Sequence, residues 1–299
     1  VGQLTAAQAQ LAAAEEADRL QAERFAAGAA TASDLAVAAA TLAQAQSRPA
    51  DIVSPITDKV LTTKVTTVDA RKAGRVAYEK PTPQNSIMLF IDHQIGLMAS
   101  VRDFQQASGY KSNVVSLAKM AKALDIPVLL TTSNAQWQNG DILPELKDVF
   151  PQQPIIRRTG IINAYEDPTF RKALEELVAK TGRRHIIISG VTLGTCVAFP
   201  TLSLINDGYV VHPVIDASGA WSKYEADAAT QRMTAAGAQL NTVYALGAEL
   251  QADWKLPSGT KMLDPFINGL PEYGWVVQNF WNNADGAKRA VPDPFGMVK

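Results

Sequence analysis

HIIISGVTLGTCVAF, residues 185–199, joins a short apolar run to a glycine-containing turn and then to a segment of helical character. A run of consecutive isoleucines bounded by turn residues reads as a strand buried on both faces. Such strands belong to parallel sheets covered by helices, and the neighbouring sequence repeats the pattern. Upstream, IMLFID (87–92) is another apolar run, ending in a carboxylate. Val114, Leu117, Ala118, Ala121 and Leu124 then recur at helical spacing. PVLLTTS (127–133) and PIIRR (154–158) read as strands. DPTFRKALEELVAKTG (167–182) reads as a helix, with Asp167 as cap, Pro168 in the first turn, Gly182 as stop and Phe170, Leu174, Leu177 and Val178 as its inner stripe. Downstream, a helix from about Gly194 to Asp207, a strand in YVVHPVIDA, a helix over 222–236 and a last strand in QLNTVYAL continue the alternation. The expected fold is α/β, with helices on both faces of a parallel sheet. Such folds place their sites at the carboxyl ends of the strands.

Three reactive side chains fall there: Asp92 after IMLFI, Arg158 after PII, and Cys196, the only cysteine of the chain, just beyond HIIISGV. A thiol reacts as thiolate, and its pKa falls at a helix N-terminus or beside a cation. Cys196 is expected in the first turn of a helix, where unpaired N–H groups favour negative charge. Asp92 could take its proton, Arg158 could support the thiolate and orient the carboxylate, and the turn glycines could let backbone N–H groups approach a carbonyl oxygen. Singly, each residue has a plainer reading: a buried small hydrophobe, a helix cap, a surface ion-pair residue.

Composition narrows the function classes. A formal net charge of −1 without long basic tracts gives no sign of a nucleic-acid partner. Runs such as IMLFI are far too short for a membrane span. A lone cysteine forms no internal disulfide and fits a reducing compartment, so a cytoplasmic location is expected, with a periplasmic or envelope-associated one as the alternative. The chain begins with Val, without a following signal pattern, so the true start is expected to be missing or processed. No G-x-G-x-x-G follows the first strand, and Walker A, H-E-x-x-H and G-x-S-x-G sequences are absent. That argues against dinucleotide oxidoreductases, P-loop NTPases, zincins and serine hydrolases.

Residues 1–50 read as an Ala-rich helical extension, interrupted near Gly28 and Thr31–Asp34, and 51–85 as a linker and wrapping arm. The main domain is expected over 86–256. The tail, 257–299, holds Phe266, Leu270, Tyr273, Trp275, Phe280 and Trp281 without clear periodicity, which points to packing on the domain or on a second subunit and so to a homo-oligomer.

IDHQIGLM (91–98), RRTGIINAYEDPTF (157–170) and IIISGVTLGTCVAFPTLSLINDGYVVHPVIDASG (186–219), in this order and spacing, resemble the isochorismatase-like cysteine hydrolases, and within them the YcaC-type branch, with its G-x-I-N-A and V-A-F-P elements. The resemblance runs from about Asn85 to Tyr273. It implies a three-layer αβα fold around a six-stranded parallel sheet. It also implies Asp92 as general base, Arg158 as basic member and Cys196 as nucleophile, acting on a small molecule. A cis Val191–Thr192 peptide and an oxyanion hole from the Thr192 and Cys196 amides follow from the same likeness. His93, Gln94, Asn163 and Trp137 are expected to line the pocket, His93 at its rim. Most of the wider family carries Lys where this chain has Arg158. Members that bind a metal use Asp-x-His with a further His, whereas Asp92 is followed by His93 and Gln94, so no metal and no other cofactor are expected; His185 and His212 read as structural. The expected activity is metal-independent cleavage of an amide-like C–N bond through a thioester. The alternatives are a non-catalytic protein that keeps the fold, or an envelope-associated accessory, since ERFAAGAATASDLAVAAATLAQAQ (23–46) resembles helical segments of TolC-type efflux channels.

Overall fold

The computed structural model describes residues 16, 19, 20, 22, 23, 78–102 and 109–283, the last three without their side chains. The chain divides into two units, Val1–Thr63 and Lys64–Lys299. In the first, the described residues are helical, and Arg19 pairs with Glu16 and Glu23 one turn to either side. The expected second helix of the extension and the arm up to residue 77 lie outside the described residues.

The second unit is the expected α/β layer structure. Strands β1 (Ser86–Ile91), β2 (Val128–Ser133), β3 (Ile155–Arg158), β4 (His185–Gly190) and β5 (Val210–Pro213) form one sheet in the order β3-β2-β1-β4-β5. Every pairing is parallel, with Ile87 beside Ile186 and Ile91 beside Gly190. The apolar runs alternate between two cores, as a period of two requires. Met88, Phe90 and Ile187 enter one cluster; Ile87, Leu89, Ile91, Ile186 and Ile188 enter the other. The first is covered by α1 (Gly109–Ala123), α2 (Pro144–Val149) and residues from the C-terminal region. The second is covered by α3 (Pro168–Thr181), α4 (Ala198–Asn206) and α5 (Lys223–Ala235).

Local chemistry sets the ends of α3 as the sequence indicates. Asp167 accepts from Thr169 N and Phe170 N, Pro168 opens the helix, and Gly182 closes it at φ 70, a left-handed conformation that glycine adopts without strain. Phe170 and Leu174 are fully buried, whereas Leu177 and Val178 are only partly so.

Two expectations are corrected. Among the described residues the sheet has five strands, not six. Gln239 N and Asn241 N donate to Val211 O and Pro213 O, so QLN does run beside β5, but only one bridge forms, Val214 with Asn241. Thr242 then caps α6 (Val243–Gln251) by accepting from Ala245 N, and the helix takes VYAL out of the sheet. The described part of the tail, 257–283, is also regular where no period was legible. α7 (Gly259–Ile267) and α8 (Pro271–Asn283) occupy it, with Pro257, Pro265 and Pro271 punctuating the sequence. Met262 and Phe266 are fully buried against α1, where Ser116 Oγ donates to Pro265 O at 2.6 Å. Trp254, Phe266 and Tyr273 form an aromatic cluster, while Trp275, Val276 and Phe280 remain exposed. Among the described residues no helix is long and apolar enough to cross a membrane.

Candidate active site

β1 and β4 lie side by side, yet the chain leaves β1 toward β2 and β3 on one side and leaves β4 toward β5 on the other. Loops diverge at such a switch point and open a crevice at the carboxyl ends. Asp92 follows β1 there, and the turn carrying Cys196 follows β4. Arg158 ends β3, two strands away, and reaches across.

Asp92 has φ 56, an uncommon left-handed conformation for a residue other than glycine, but one that Asp tolerates better than most. Its N–H donates to Thr131 O and its C=O accepts from Gln94 N, which fixes the carboxylate at the strand end. Arg158 meets it with Nη2, which donates to both Asp92 oxygens; both side chains are fully buried. One guanidinium nitrogen thus bridges both carboxylate oxygens. The rest of the guanidinium is held by the protein: Nε donates to Thr131 Oγ1 at 3.0 Å and Nη1 to Ile161 O. Thr131 Oγ1 donates in turn to Ile156 O, so its lone pair is free for Arg158.

The Val191–Thr192 peptide is cis, as expected. Leu193–Val197 follows as a single π-helical turn that runs directly into α4. Leu193 N donates to Gly219 O, Thr195 N and Val197 N donate to Thr192 O, and Thr192 N has no acceptor among the described residues. Cys196 is 9% exposed, and Thr195 Oγ1 donates to its Sγ at 3.6 Å. Close approach governs the glycines here. A Cβ on Gly190 would lie 2.5 Å from Ile91 O, so the two strand ends could not meet so closely with any other residue.

The electrostatics overturn one expectation. The thiol is not activated at rest: burial first, and then the negative charge of Asp92, push it up to about 12, against the smaller help of Thr195 and Arg158. Burial likewise raises Asp92 above the usual carboxylate range, with Arg158 opposing. The thiol therefore keeps its proton at neutral pH, with the Asp92 carboxyl beside it.

Of the four expected pocket residues, His93, Gln94 and Asn163 are buried with internal hydrogen-bond partners, and Trp137 is exposed. His93 is not at a rim but fully buried, between Tyr110 OH at 2.8 Å and Ser189 Oγ at 3.0 Å. Burial holds it down at about 3, hence neutral. Gln94 is also buried; its amide donates to Gly140 O and accepts from Ser133 N, pinning the loop after β2. Asn163 caps a short 3-10 turn (Ala164–Glu166) and donates to Glu166 and Ser203. Trp137 lies on the loop that Gln94 pins and is 71% exposed. His185 and His212 stack 5.3 Å apart with a 3.0 Å contact between their ring nitrogens, within the sheet as expected of structural residues. Among the described residues no three His, Cys, Asp or Glu side chains are grouped to hold a metal ion.

Sequence reasoning missed Thr131 and Glu225. Glu225 Oε1 accepts from Gly194 N at 3.0 Å, inside the thiol turn, and Oε2 accepts from Trp221 N at 2.7 Å. Ser222-x-x-Glu225 carries a capping-box pattern, but that pattern points the carboxylate at its own helix rather than at residue 194. Trp221 donates through Nε1 to Leu97 O and, with Ile95, Met98, Val101, Arg102 and Leu143, lines an open cavity of about 880 Å³ beside the loop that follows Asp92.

Comparison with known proteins agrees with this fold. Residues 86–244 match the isochorismatase domain. "Probable hydrolase YcaC" of Escherichia coli K12 is 40% identical over 204 residues, covering 68% of this chain and 95% of that protein. A structure of YcaC from Pseudomonas aeruginosa with hexane-2,5-diol and covalent acrylamide superposes with a TM-score of 0.62 at 42% identity, over 68% of this chain and 98% of the other. The E. coli YcaC crystal structure, described as an octameric hydrolase of unknown specificity, gives 0.63 at 38% identity, over 68% and 97%.

Proposed function

This chain belongs to the isochorismatase family, and from that premise we propose that it is a hydrolase using Cys196 as nucleophile on an amide-like C–N bond of a small molecule. The observation that carries the reading is the buried grouping of Asp92, Arg158 and Cys196 at the switch point of the sheet.

The geometry suits proton transfer timed with attack. As Sγ bonds to the substrate carbonyl carbon, its proton passes to Asp92, so a free thiolate need not accumulate. The carbonyl π electrons move to oxygen, and the N–H groups of Thr192 and Cys196 are the proposed donors to that oxyanion. Collapse expels the amine, which takes the proton from Asp92 and leaves a thioester. Water then gives a proton to Asp92 while its oxygen attacks the thioester carbon; the acid departs and the proton returns to sulfur. Arg158 keeps the Asp92 carboxylate oriented throughout. A thiol raised to about 12 yields a strong nucleophile once deprotonated, and Asp92 supplies the deprotonation locally.

A related protein carries covalent acrylamide, an electrophile to which thiols add, and Cys196 is the single thiol available here. The octameric relative supports a homo-oligomer of this chain as well. The test is ammonia release by the purified protein across a panel of small amides and ureas, with Cys196→Ala as the control. Release by the wild type that disappears in the variant supports the reading; equal release by both refutes it.

A further inference from the structure

We propose that Glu225 is the positioning residue of the thiol turn, fixing which backbone N–H groups of that turn remain for the substrate. The inference rests on the reading of Cys196 as nucleophile, but its geometry stands independently. The turn ahead of α4 presents several N–H groups that no preceding carbonyl can satisfy. Glu225 takes one of them, Gly194 N, as a charge-assisted bond at 3.0 Å. With the same carboxylate it takes Trp221 N at 2.7 Å, so the loop bearing Trp221 and the loop bearing Cys196 are tied to one group.

The glutamate is not needed to start its own helix, since Ser222 Oγ already caps α5 by accepting from Glu225 N at 3.1 Å. Nor does Gly194 stand there by chance. A Cβ on it would lie 2.7 Å from Glu225 Cγ and 2.9 Å from Oε1, so any larger residue there pushes the Glu225 side chain off its present position. Gly194 N, spent on Glu225, is unavailable to an oxyanion. Thr192 N, without an acceptor among the described residues, remains available.

Glu225→Gln isolates the effect. Its amide keeps the length and shape but can accept from only one of the two N–H groups, because its nitrogen is itself a donor. Gly194→Ala breaks the same contact from the other side. Hydrogen–deuterium exchange followed by mass spectrometry is the test, because it needs no substrate. In both variants the amides of 191–199 exchange about tenfold faster than in the wild type, while those of β1 and the melting temperature stay unchanged. The double variant is no worse than either single one. On an amide found by the ammonia screen, Glu225→Gln lowers kcat about tenfold and leaves KM within about twofold. Glu225→Asp, one methylene shorter, does not restore it.

Unchanged exchange over 191–199, or a rise spread evenly across the sheet, overturns the proposal. Faster exchange confined to the turn, in a protein with no Cys196-dependent turnover, upholds the clamp and refutes the hydrolase reading instead.

Discussion

Arg158 is the residue whose replacement should reveal most about how the site is held. Its guanidinium makes three separate attachments: Nη2 to both Asp92 oxygens, Nε to Thr131 Oγ1, and Nη1 to Ile161 O. Arg158→Ala removes all three and strands a fully buried carboxylate; breaking a buried pair on one side costs about 3–5 kcal/mol. Asp92→Asn strands the guanidinium and should cost a similar amount. The double variant leaves no unpaired charge, so its loss should fall short of the sum by about 2–3 kcal/mol. Arg158→Lys keeps the charge but has a single nitrogen, which cannot serve Asp92, Thr131 and Ile161 together. Losing two bonds of about 1 kcal/mol each predicts a loss of about 2 kcal/mol. Because the carboxylate is then less well aimed, turnover should fall about ten- to a hundredfold. Urea unfolding of the wild type and four variants, compared at a common m-value, measures every corner of the cycle. If Arg158→Ala lies within about 1 kcal/mol of wild type, or the two single losses simply add, the ion pair does not hold the site as described.

The thiol supplies a second test. Alkylation of Cys196 by acrylamide should be slow at neutral pH and rise toward pH 12, whereas Asp92→Asn, which removes a charge that pushes the thiol up, should make alkylation faster although turnover is lost; slower alkylation in that variant would contradict the assigned electrostatics. Stability should also fall in alkali. A thiol raised in the folded state contributes fully below its unfolded value near 9 and loses that contribution as pH climbs to about 12, a decline that Cys196→Ala should flatten in pH-dependent unfolding. His93 works in the opposite sense. Held down to about 3, it contributes stability above its unfolded value near 6.5, which is lost as pH falls toward 3. Acid unfolding of His93→Gln should begin from a lower stability and show a shallower slope over that window, and an unchanged slope would show that burial does not hold His93 neutral.

The fold was legible wherever one residue decides one local event. Asp167, Pro168 and Gly182 bound α3 by chemistry confined to their own turn, and the apolar strands could be read because a strand buried on both faces leaves no polar alternation to misjudge. QLNTVYAL misled because its first residues do pair beside β5, while Thr242, three positions on from Gln239, switches the chain to helix. The site was legible as residue types at strand ends, since parallel sheets collect their loops there. Its electrostatics were not. Cys196 does sit in a helical turn, but the turn is closed over by packing, and the cost of burying a charge outweighs the benefit of the helix end and of Arg158. His93 and Gln94 adjoin Asp92 in sequence, yet alternation and the left-handed Asp92 turn send them inward, to Ser189 and to the 133–140 loop. Glu225 lies 31 residues from the Gly194 that it holds, a separation at which no local pattern speaks.

If Cys196 is the nucleophile, it forms a covalent acyl intermediate. Acid-quenching the enzyme during turnover of the best amide from the ammonia screen, and weighing the intact protein, addresses it directly. A fraction of the chain should be heavier by the acyl group, with the added mass on the peptide containing Cys196 and absent in Cys196→Ala. Undiminished turnover by Cys196→Ala, with no adduct on the wild type, would contradict it.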